Sequence, residues 1–477
     1  MANAAAMLLS GRPEAVALIE PGRQVTYYEL RNLVMRMAAA WQAQGLAPGD
    51  TGIVALLDSI DSVATLLGLM WLGGVPAPIS PRTDPALVPD LLAESKARLM
   101  IAEDDFAAAL GDDRVRSRSA WLEAAARLPE GNSEARQADL DAPAFMLFSS
   151  GTTGKPKGIV HAHRCVDQSH VFAQQILGAG PTDRFLSSSK LFFAYPLSNS
   201  LFAGLRLGAS VVLDAQWPTP ERVAQLVAQH SPTVLFSVPT FYQRLMESGL
   251  RLPSLRRCVS AGEACPPALA SAWEQRHGLG LVNGYGTTET MSLMLYRLPQ
   301  MASFKASPLT VAREESSDPQ DPEASLRLWF SHPSIALGYT RVVTHDSAQF
   351  AGKEFSPGDV FRRSADGGWI FAGRSDQLLK VFGRWVDTVA LEHWLFDKLQ
   401  REVRELSIIP HDADGGPSAL HLFVSPLAGD QAGLKARVQA ICGELPAYQQ
   451  PAAIHILEEL PRTETGKIRR GVLKSMC

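Results

Sequence analysis

Residues 145–163, Phe-Met-Leu-Phe-Ser-Ser-Gly-Thr-Thr-Gly-Lys-Pro-Lys-Gly-Ile-Val-His-Ala-His, carry the densest set of phosphate-binding groups in the chain. An apolar run, Phe145 to Phe148, breaks into a loop of Ser, Thr, Gly and Lys, and Gly158 opens a second apolar run at Ile159-Val160. The pattern reads as strand, phosphate-sized loop, strand. Gly151 and Gly154 let backbone N–H groups converge on a polyphosphate, and the hydroxyls of Ser149, Ser150, Thr152 and Thr153 add donors. Lys155 and Lys157 supply positive charge. A P-loop would need Gly-x-x-x-x-Gly-Lys-Ser/Thr running into a helix, whereas Gly154-Lys155 is followed by Pro156 and, after Gly158, a β-branched pair. The stretch therefore points to a nucleoside triphosphate site of another kind, with an ordinary Ser/Gly-rich hairpin turn as the plain alternative.

A second cluster, Asn283-Gly284-Tyr285-Gly286-Thr287-Thr288-Glu289, follows the apolar pair Leu281-Val282, which reads as a strand end. Its small residues let a flat base or a substrate carbonyl approach the backbone, and Glu289 offers a hard oxygen ligand to Mg²⁺. Further segments are weaker alone: Ser260-Ala261-Gly262-Glu263-Ala264, the Gly358-Asp359 pair, Gly373-Arg374-Ser375-Asp376 with Lys380-Val381-Phe382-Gly383, and Pro461 to Arg470. Taken singly they could be turns, a polar linker and a basic tail.

Taken in order, these segments resemble the motifs of the acyl-adenylating superfamily, which contains acyl- and aryl-CoA ligases, peptide-synthetase adenylation domains and luciferases. The phosphate loop matches that family's Ser-Ser/Gly-Gly-Thr/Ser-Thr-Gly-x-Pro-Lys-Gly at every position, and residues 285–289 match its Tyr-Gly-x-Thr-Glu. The resemblance implies that Tyr285, with Gly286 and Thr287 beside it, contacts adenine, that Thr288 holds the α-phosphate and that Glu289 binds Mg²⁺. Gly262 and Glu263 would border both nucleotide and acyl pocket, and Asp359 and Arg374 would contact ribose. Asp376 would be a hinge, Gly383 would line a thiol channel, and Lys467 would act with Thr288 and Glu289 in catalysis. The cofactors implied are ATP, Mg²⁺ and CoA, with the phosphopantetheine arm of an acyl carrier protein as the alternative thiol. A luciferase-like oxygenase would differ in the fate of the adenylate, and a non-catalytic acid-binding protein would keep the fold alone.

Lys190-Leu-Phe-Phe-Ala-Tyr-Pro-Leu-Ser-Asn-Ser-Leu201 is unusually aromatic. Aromatic walls make a flat slot that favours a planar ring over a flexible chain, although large aromatics also serve as plain core. The run resembles the Phe-Ala-Tyr-Gly-Leu-Gly-Asn segment of benzoate-type CoA ligases, which implies an acid pocket at Phe193, Ala194, Tyr195 and Asn199, with Gly286 on its other side. Pro196 and Ser198 stand where that pattern has glycines. No charged residue stands out near Phe193 as the α-amine anchor that amino-acid adenylating domains place there, where an Asp would serve, so benzoate, a hydroxybenzoate or an aminobenzoate is the expected substrate class. Two departures touch the thiol side: the acidic, shortened stretch Glu314 to Glu323, and Val386-Asp-Thr-Val-Ala-Leu-Glu392 in place of Val-x-Pro-x-Glu-Val-Glu.

The elements that must position these groups alternate. Thr26-x-x-Glu29 is a capping box ahead of a helix that Gly45 ends, Ile53 to Leu57 reads as a buried strand, and Asp61 to Leu72 as a second helix. Ser210 to Leu213 and Val234 to Val238 read as strands, with Thr219-Pro220 as a helix start between them. Residues 303–324, rich in Ser, Pro, Asp and Glu, read as a surface loop. Strands at Leu406 to Ile409 and Leu420 to Val424 belong to a different, smaller block. The expected architecture is α/β: a large layered N-terminal domain, 1–375, of mixed sheets flanked by helices, and a small α+β C-terminal domain, 376–477, joined by a hinge.

The 477 residues suffice for a large core. A formal net charge of −4 gives no footprint for nucleic acid or an anionic membrane. The apolar passage Val63 to Ile79 is punctuated by glycines and prolines and reads as a buried helix turning into a strand, not a membrane span. Met-Ala-Asn-Ala-Ala-Ala lacks the basic region of a secretory signal. Cys165, Cys258, Cys265, Cys442 and Cys477 show neither Cys-x-x-Cys nor metal spacing, which suits buried thiols in a reducing cytoplasm. A monomer or a homodimer fits equally.

Overall fold

The computed structural model describes residues 2–128, 133–150, 156–316, 325–340, 349–374, 378–381, 384–399, 402–411, 419–427, 433–462 and 468–477. The chain packs into two compact units: Met1–Ala312 with Trp329–Phe355, and Arg313–Leu328 with Ser356–Cys477. The hinge expected at Asp376 lies outside the described residues.

In the first unit the described residues form a nine-stranded sheet whose centre is six parallel strands: Val16–Glu20, Ser210–Val212, Arg184–Ser187, Val234–Ser237, Arg257–Ser260 and Leu281–Tyr285. Antiparallel strands close both edges, Arg23–Thr26 on one side and Leu295–Arg297 with Lys305–Ala306 on the other. Parallel strands are buried on both faces, and this sheet shows it. Phe185, Val211, Val234, Phe236, Val259 and Val282 belong to one apolar core, and Leu186, Val212, Leu235, Cys258 and Leu281 to another. The second core is covered by helices Pro220–His230, Pro239–Ser248 and Pro267–His277, each with proline in its first turn.

The capping box predicted at Thr26 is formed: Glu29 N–H donates to Thr26 Oγ1 at 3.2 Å and Thr26 N–H to Glu29 Oε2 at 2.8 Å, opening helix Tyr27–Ala43. The passage from Val63 becomes the end of helix Ile60–Leu72 and strand Val75–Pro78, part of a four-stranded parallel sheet with Thr51–Ala55, Leu99–Ala102 and Val115–Ser117. Among the described residues no helix is long and apolar enough to cross a membrane. Cys165, Cys258, Cys265 and Cys442 are buried, and all five cysteines are free.

One expectation fails in part. Residues 303–324 are not simply a loop, because Lys305–Ala306 and Val311–Ser316 are strands and the latter pairs with Leu326–Ser331. Val311–Ser316 alternates exposed and half-buried residues, so its polar composition is that of a wet edge strand.

The second unit has its own core. Strands Val403–His411, Ala419–Pro426 and Ala453–Ile456 form a sheet, and helices Thr388–Leu399 and Leu434–Cys442 cover one face through Leu391, Leu395, Val438 and Cys442. Arg470 donates two hydrogen bonds to Glu392, at 2.6 and 2.8 Å, and Glu392 also accepts from the Ile408 N–H. One positive charge of the last motif is thus structural.

Candidate active site

The phosphate segment is an antiparallel hairpin, Pro143–Ser150 against Pro156–Ala162, as its two apolar runs predict. Ser149 faces Lys157 across it. Phe145 stacks on His161 with centroids 4.8 Å apart, and burial pushes His161 down to about 3, which leaves a neutral ring under the hairpin. Gly151, Thr152, Thr153, Gly154 and Lys155 lie outside the described residues, as does the side chain of Ser150.

Residues 336–340 sew this hairpin to the second cluster. Gly338–Tyr339 pairs antiparallel with Val160 and Ile159, Leu337 N–H donates to Val160 O at 2.8 Å, and Thr340 N–H donates to Gly158 O at 2.8 Å. Gly158 has no room for a side chain, since a Cβ would lie 2.8 Å from Thr340 and 2.9 Å from Met146. The neighbouring Ala336 N–H donates to the backbone oxygen of Glu289 at 2.8 Å. Tyr339 then reaches Glu289 Oε1 with its hydroxyl at 2.9 Å, while Lys157 Nζ sits 5.3 Å from the Tyr339 ring centroid. Arg164, just past the hairpin, donates to the carbonyls of Pro333 and Ile335 and fixes the approach to this strand.

The turn carrying Thr288 and Glu289 is closed on itself. Thr287 N–H donates to Thr290 Oγ1 at 2.9 Å, and that hydroxyl lies 3.1 Å from both Thr287 O and Ser292 O. Met291 adopts φ 59°, and Met294 N–H returns to Tyr285 O at 2.8 Å. A Cβ on Gly286 would meet the Ser292 carbonyl oxygen at 2.6 Å. Thr287 Oγ1 is buried and makes no hydrogen bond among the described residues. Tyr285 tilts against Phe330, centroids 6.1 Å apart.

Gly262 has φ +88° and turns the chain so that Glu263 meets the start of helix Pro239–Ser248. The carboxylate accepts from Thr240 N–H at 3.2 Å and Thr240 Oγ1 at 3.3 Å. That is a helix cap, a job the sequence did not announce.

The aromatic segment is a helical turn running into a π-helix, Leu197–Phe202. Phe193 packs edge-on against Phe192 with centroids 4.5 Å apart. Tyr195 donates its hydroxyl to Val259 O at 2.9 Å, one strand away from the strand that ends at Tyr285, and burial holds its phenol protonated well above the usual range. Asn199 is buried and donates to Tyr195 O at 3.0 Å, so it braces the turn beneath Ala194.

In the second unit Asp359 and Arg374 are directly opposed in a hairpin, Asp359–Arg363 against Trp369–Arg374. Asp376, Gly383 and Lys467 lie outside the described residues. Arg462 and Ile468 form an antiparallel bridge, and Arg469 N–H donates to Pro461 O at 2.7 Å, so the chain on both sides of Lys467 is tied together.

Residues 6–340 match the model of the AMP-binding enzyme family. The chain belongs to this family. It is similar to the 3-hydroxybenzoate–CoA ligase of Aromatoleum sp. (strain CIB), 30% identical over 98% of this chain and 95% of that one. A benzoate CoA ligase from Burkholderia xenovorans LB400 superimposes with a TM-score of 0.86 at 28% identity, covering 99% of this chain and 100% of that one. The anthranilate CoA ligase AuaEII, solved with anthranoyl-AMP, gives a TM-score of 0.87 at 27% identity over 100% and 97%. The α/β fold expected from the motifs is therefore that of acyl-adenylate-forming ligases.

The AMP-binding fold implies Mg²⁺, and the residues present fit it. Glu289 offers one hard carboxylate, and the described residues hold no group of three or more His, Cys, Asp or Glu able to bind an ion. Mg²⁺ suits such a site because it retains waters and takes substrate phosphates as its other ligands.

Sequence reasoning missed Tyr339, Thr290, and the buried pair Asp58 and Lys190. Lys190 carried the one available signal, a lysine directly before Leu-Phe-Phe that has to put its charge somewhere.

Proposed function

We propose that this chain activates an aromatic carboxylic acid with ATP, giving an aroyl-adenylate and pyrophosphate, and then transfers the acyl group to CoA, giving aroyl-CoA and AMP. The observation that carries the reading is the join between the phosphate hairpin and the Glu289 turn through residues 336–340, with the Tyr195 segment hydrogen-bonded one strand away.

A carboxylate is a poor electrophile because oxide is a poor leaving group. Adenylation removes that difficulty: a carboxylate oxygen attacks the α-phosphorus of ATP in line, and the bond to pyrophosphate breaks. No protein nucleophile is needed, so positioning and charge stabilisation supply the rate. In this reading Ser149, Lys157 and the 150–155 loop cradle the outer phosphates, Thr288 holds the α-phosphate, and Tyr285 stacks on adenine. Asp359 and Arg374 hold ribose. Bound Mg²⁺ would neutralise phosphate charge beside Glu289. Lys467 meets the charge that develops as pyrophosphate leaves.

In the second step the thiol sulfur of CoA attacks the acyl carbon, the bond to AMP breaks, and the thiol proton is lost to solvent. We assign the exchange of roles to rotation of residues 376–477 about Asp376, which withdraws Lys467 and brings the Gly383 loop to the thiol's path. Phe193, Ala194, Tyr195, Asn199 and Gly286 form the slot for the ring.

Mass spectrometry of a reaction with ATP, Mg²⁺, CoA and a mixture of benzoic, hydroxybenzoic, aminobenzoic and medium-chain fatty acids tests this. An aroyl-CoA product is expected. An aroyl-adenylate without a CoA ester would make a carrier protein's phosphopantetheine the thiol, and a fatty acyl product would overturn the aromatic assignment.

A further inference from the structure

Behind the aromatic segment lies a small polar cavity lined by Asp58, Ser188, Lys190, Ser200, Gln216 and Arg222. Two of these groups are charged and almost fully buried: Asp58 is 8% exposed and Lys190 4%. Burying a charge is costly unless something is gained by it. Each is spent on the backbone of the loops that frame the wall. Asp58, in the loop between strand Thr51–Ala55 and helix Ile60–Leu72, accepts the Leu191 N–H with both oxygens, at 3.2 and 3.3 Å. Lys190 Nζ donates to Gln216 O at 2.6 Å and to Asp214 O. Asp214 is locked by Arg222, which donates to its two oxygens at 2.7 and 2.9 Å.

The same loop supplies Trp217, and the aromatics continue the connection. Arg82 lies 4.0 Å and Lys190 Nζ 5.9 Å from Trp217 ring centroids. Phe192 lies 6.3 Å from Trp217 and 4.5 Å from Phe193. Phe193 N–H donates back to Lys190 O at 3.0 Å, and Leu197 N–H to Phe193 O at 3.1 Å. The wall from Leu191 to Tyr195 is therefore hung between two fixed points, one anionic and one cationic.

We propose that Asp58 and Lys190 are positioning residues that set the register of the aromatic wall Leu191–Tyr195 and so select which ring acid fits, without touching the acid. Packing alone tolerates exchange of one large apolar side chain for another, whereas two buried charges have partners at fixed places and tolerate no slip. Burial raises the Asp58 carboxyl to about 6 against the opposing pull of Lys190, and burial lowers Lys190, as expected of charges held where apolar groups would be cheaper. The inference rests on the assignment of residues 193–199 to the acid pocket.

The experiment compares wild type with Asp58→Asn, Lys190→Met and Lys190→Arg in ATP–pyrophosphate exchange driven by benzoate, 3-hydroxybenzoate, anthranilate or hexanoate. For the first two variants the KM of the acid is expected to rise about 10-fold, with the KM of Mg·ATP within about 2-fold and the preference among ring acids flattened. Lys190→Arg, which keeps the charge, restores part of the preference. An unchanged acid KM, or acid and ATP KM rising together, overturns the proposal. Wild type that responds to hexanoate and to no ring acid would overturn the aromatic reading and, with it, the ring selection proposed here, whereas a response to ring acids with unchanged acid KM in the variants overturns the selection alone. Hydrogen exchange followed by mass spectrometry decides independently of activity. The Leu191–Phe193 amides should exchange faster in both neutralising variants, with Pro143–Ser150 and Leu281–Tyr285 unchanged; equal protection in all three proteins refutes the role.

Discussion

Tyr339 holds Glu289: its hydroxyl lies 2.9 Å from Oε1, and the strand that carries it is paired to the strand leaving the phosphate loop. The carboxylate proposed to hold Mg²⁺ is therefore oriented by a strand paired to the hairpin. Groups that orient a ligand carboxylate typically tune metal affinity by 10–100-fold.

Tyr339→Phe keeps the ring beneath Lys157 and removes only the hydroxyl. The Mg²⁺ concentration giving half-maximal pyrophosphate exchange is expected to rise about 10-fold, with the acid KM unchanged. A Mg²⁺ titration identical to wild type would free Glu289 of this dependence.

Gly286→Ala places a methyl 2.6 Å from the Ser292 carbonyl oxygen. The turn has to open, and displacement of Thr288 and Glu289 by about 1 Å should slow adenylate formation about 100-fold while the protein still folds. Near-normal exchange rates would show that the turn yields without moving those two side chains.

Lys467→Ala is expected to slow adenylate formation sharply and to leave thioester formation from a preformed adenylate largely intact. Single-turnover assays of the two half-reactions separate them. Equal losses in both would contradict a lysine that serves one conformation only.

Asp58 gives a pH test. Its folded carboxyl, at about 6, lies above the ordinary 3.8, so the folded state binds the proton more tightly than the unfolded one. Its contribution is fully present below about 4 and is lost as pH rises through about 6, so the ionised group destabilises the fold at neutral pH, by up to ~3 kcal/mol. The charges acting on it are Lys190 and Asp214, with Arg222 lining the same cavity. Asp58→Asn should therefore raise the melting temperature at pH 7.5 and not at pH 4, while weakening acid binding. A melting temperature lowered at both would mean that the carboxylate repays its burial in stability.

Much of the framework was legible because its signals are local. Thr26 and Glu29 announce a capping box, Thr219-Pro220 a helix start, and two apolar runs around the Ser/Gly/Lys loop a hairpin; each is set by residues a few positions apart. Strand Val311–Ser316 was hidden, since a wet edge strand has the composition of a loop. The phosphate hairpin and the Glu289 turn were readable as motifs, but their joining through Tyr339 spans 50 residues and depends on strand pairing that no local pattern encodes. Asp58 and Leu191 are 133 residues apart, and their contact is equally nonlocal. Glu263 was expected beside the nucleotide on the strength of its motif alone; the contact that fixes it is with a helix end 23 residues earlier.

Helix Pro239–Ser248 starts directly after strand Val234–Ser237, at the carboxyl edge of a parallel sheet, which is the place where α/β proteins commonly trap phosphate on exposed N–H groups. Here Glu263 already fills that place with an anion of the protein's own. A triphosphate nearing this edge would meet that carboxylate, whereas the hairpin proposed to bind it offers Ser149 and Lys157 across its pairing. On the reading proposed above, the carboxylate would act as a signpost, turning the nucleotide's tail away from this edge and toward the hairpin.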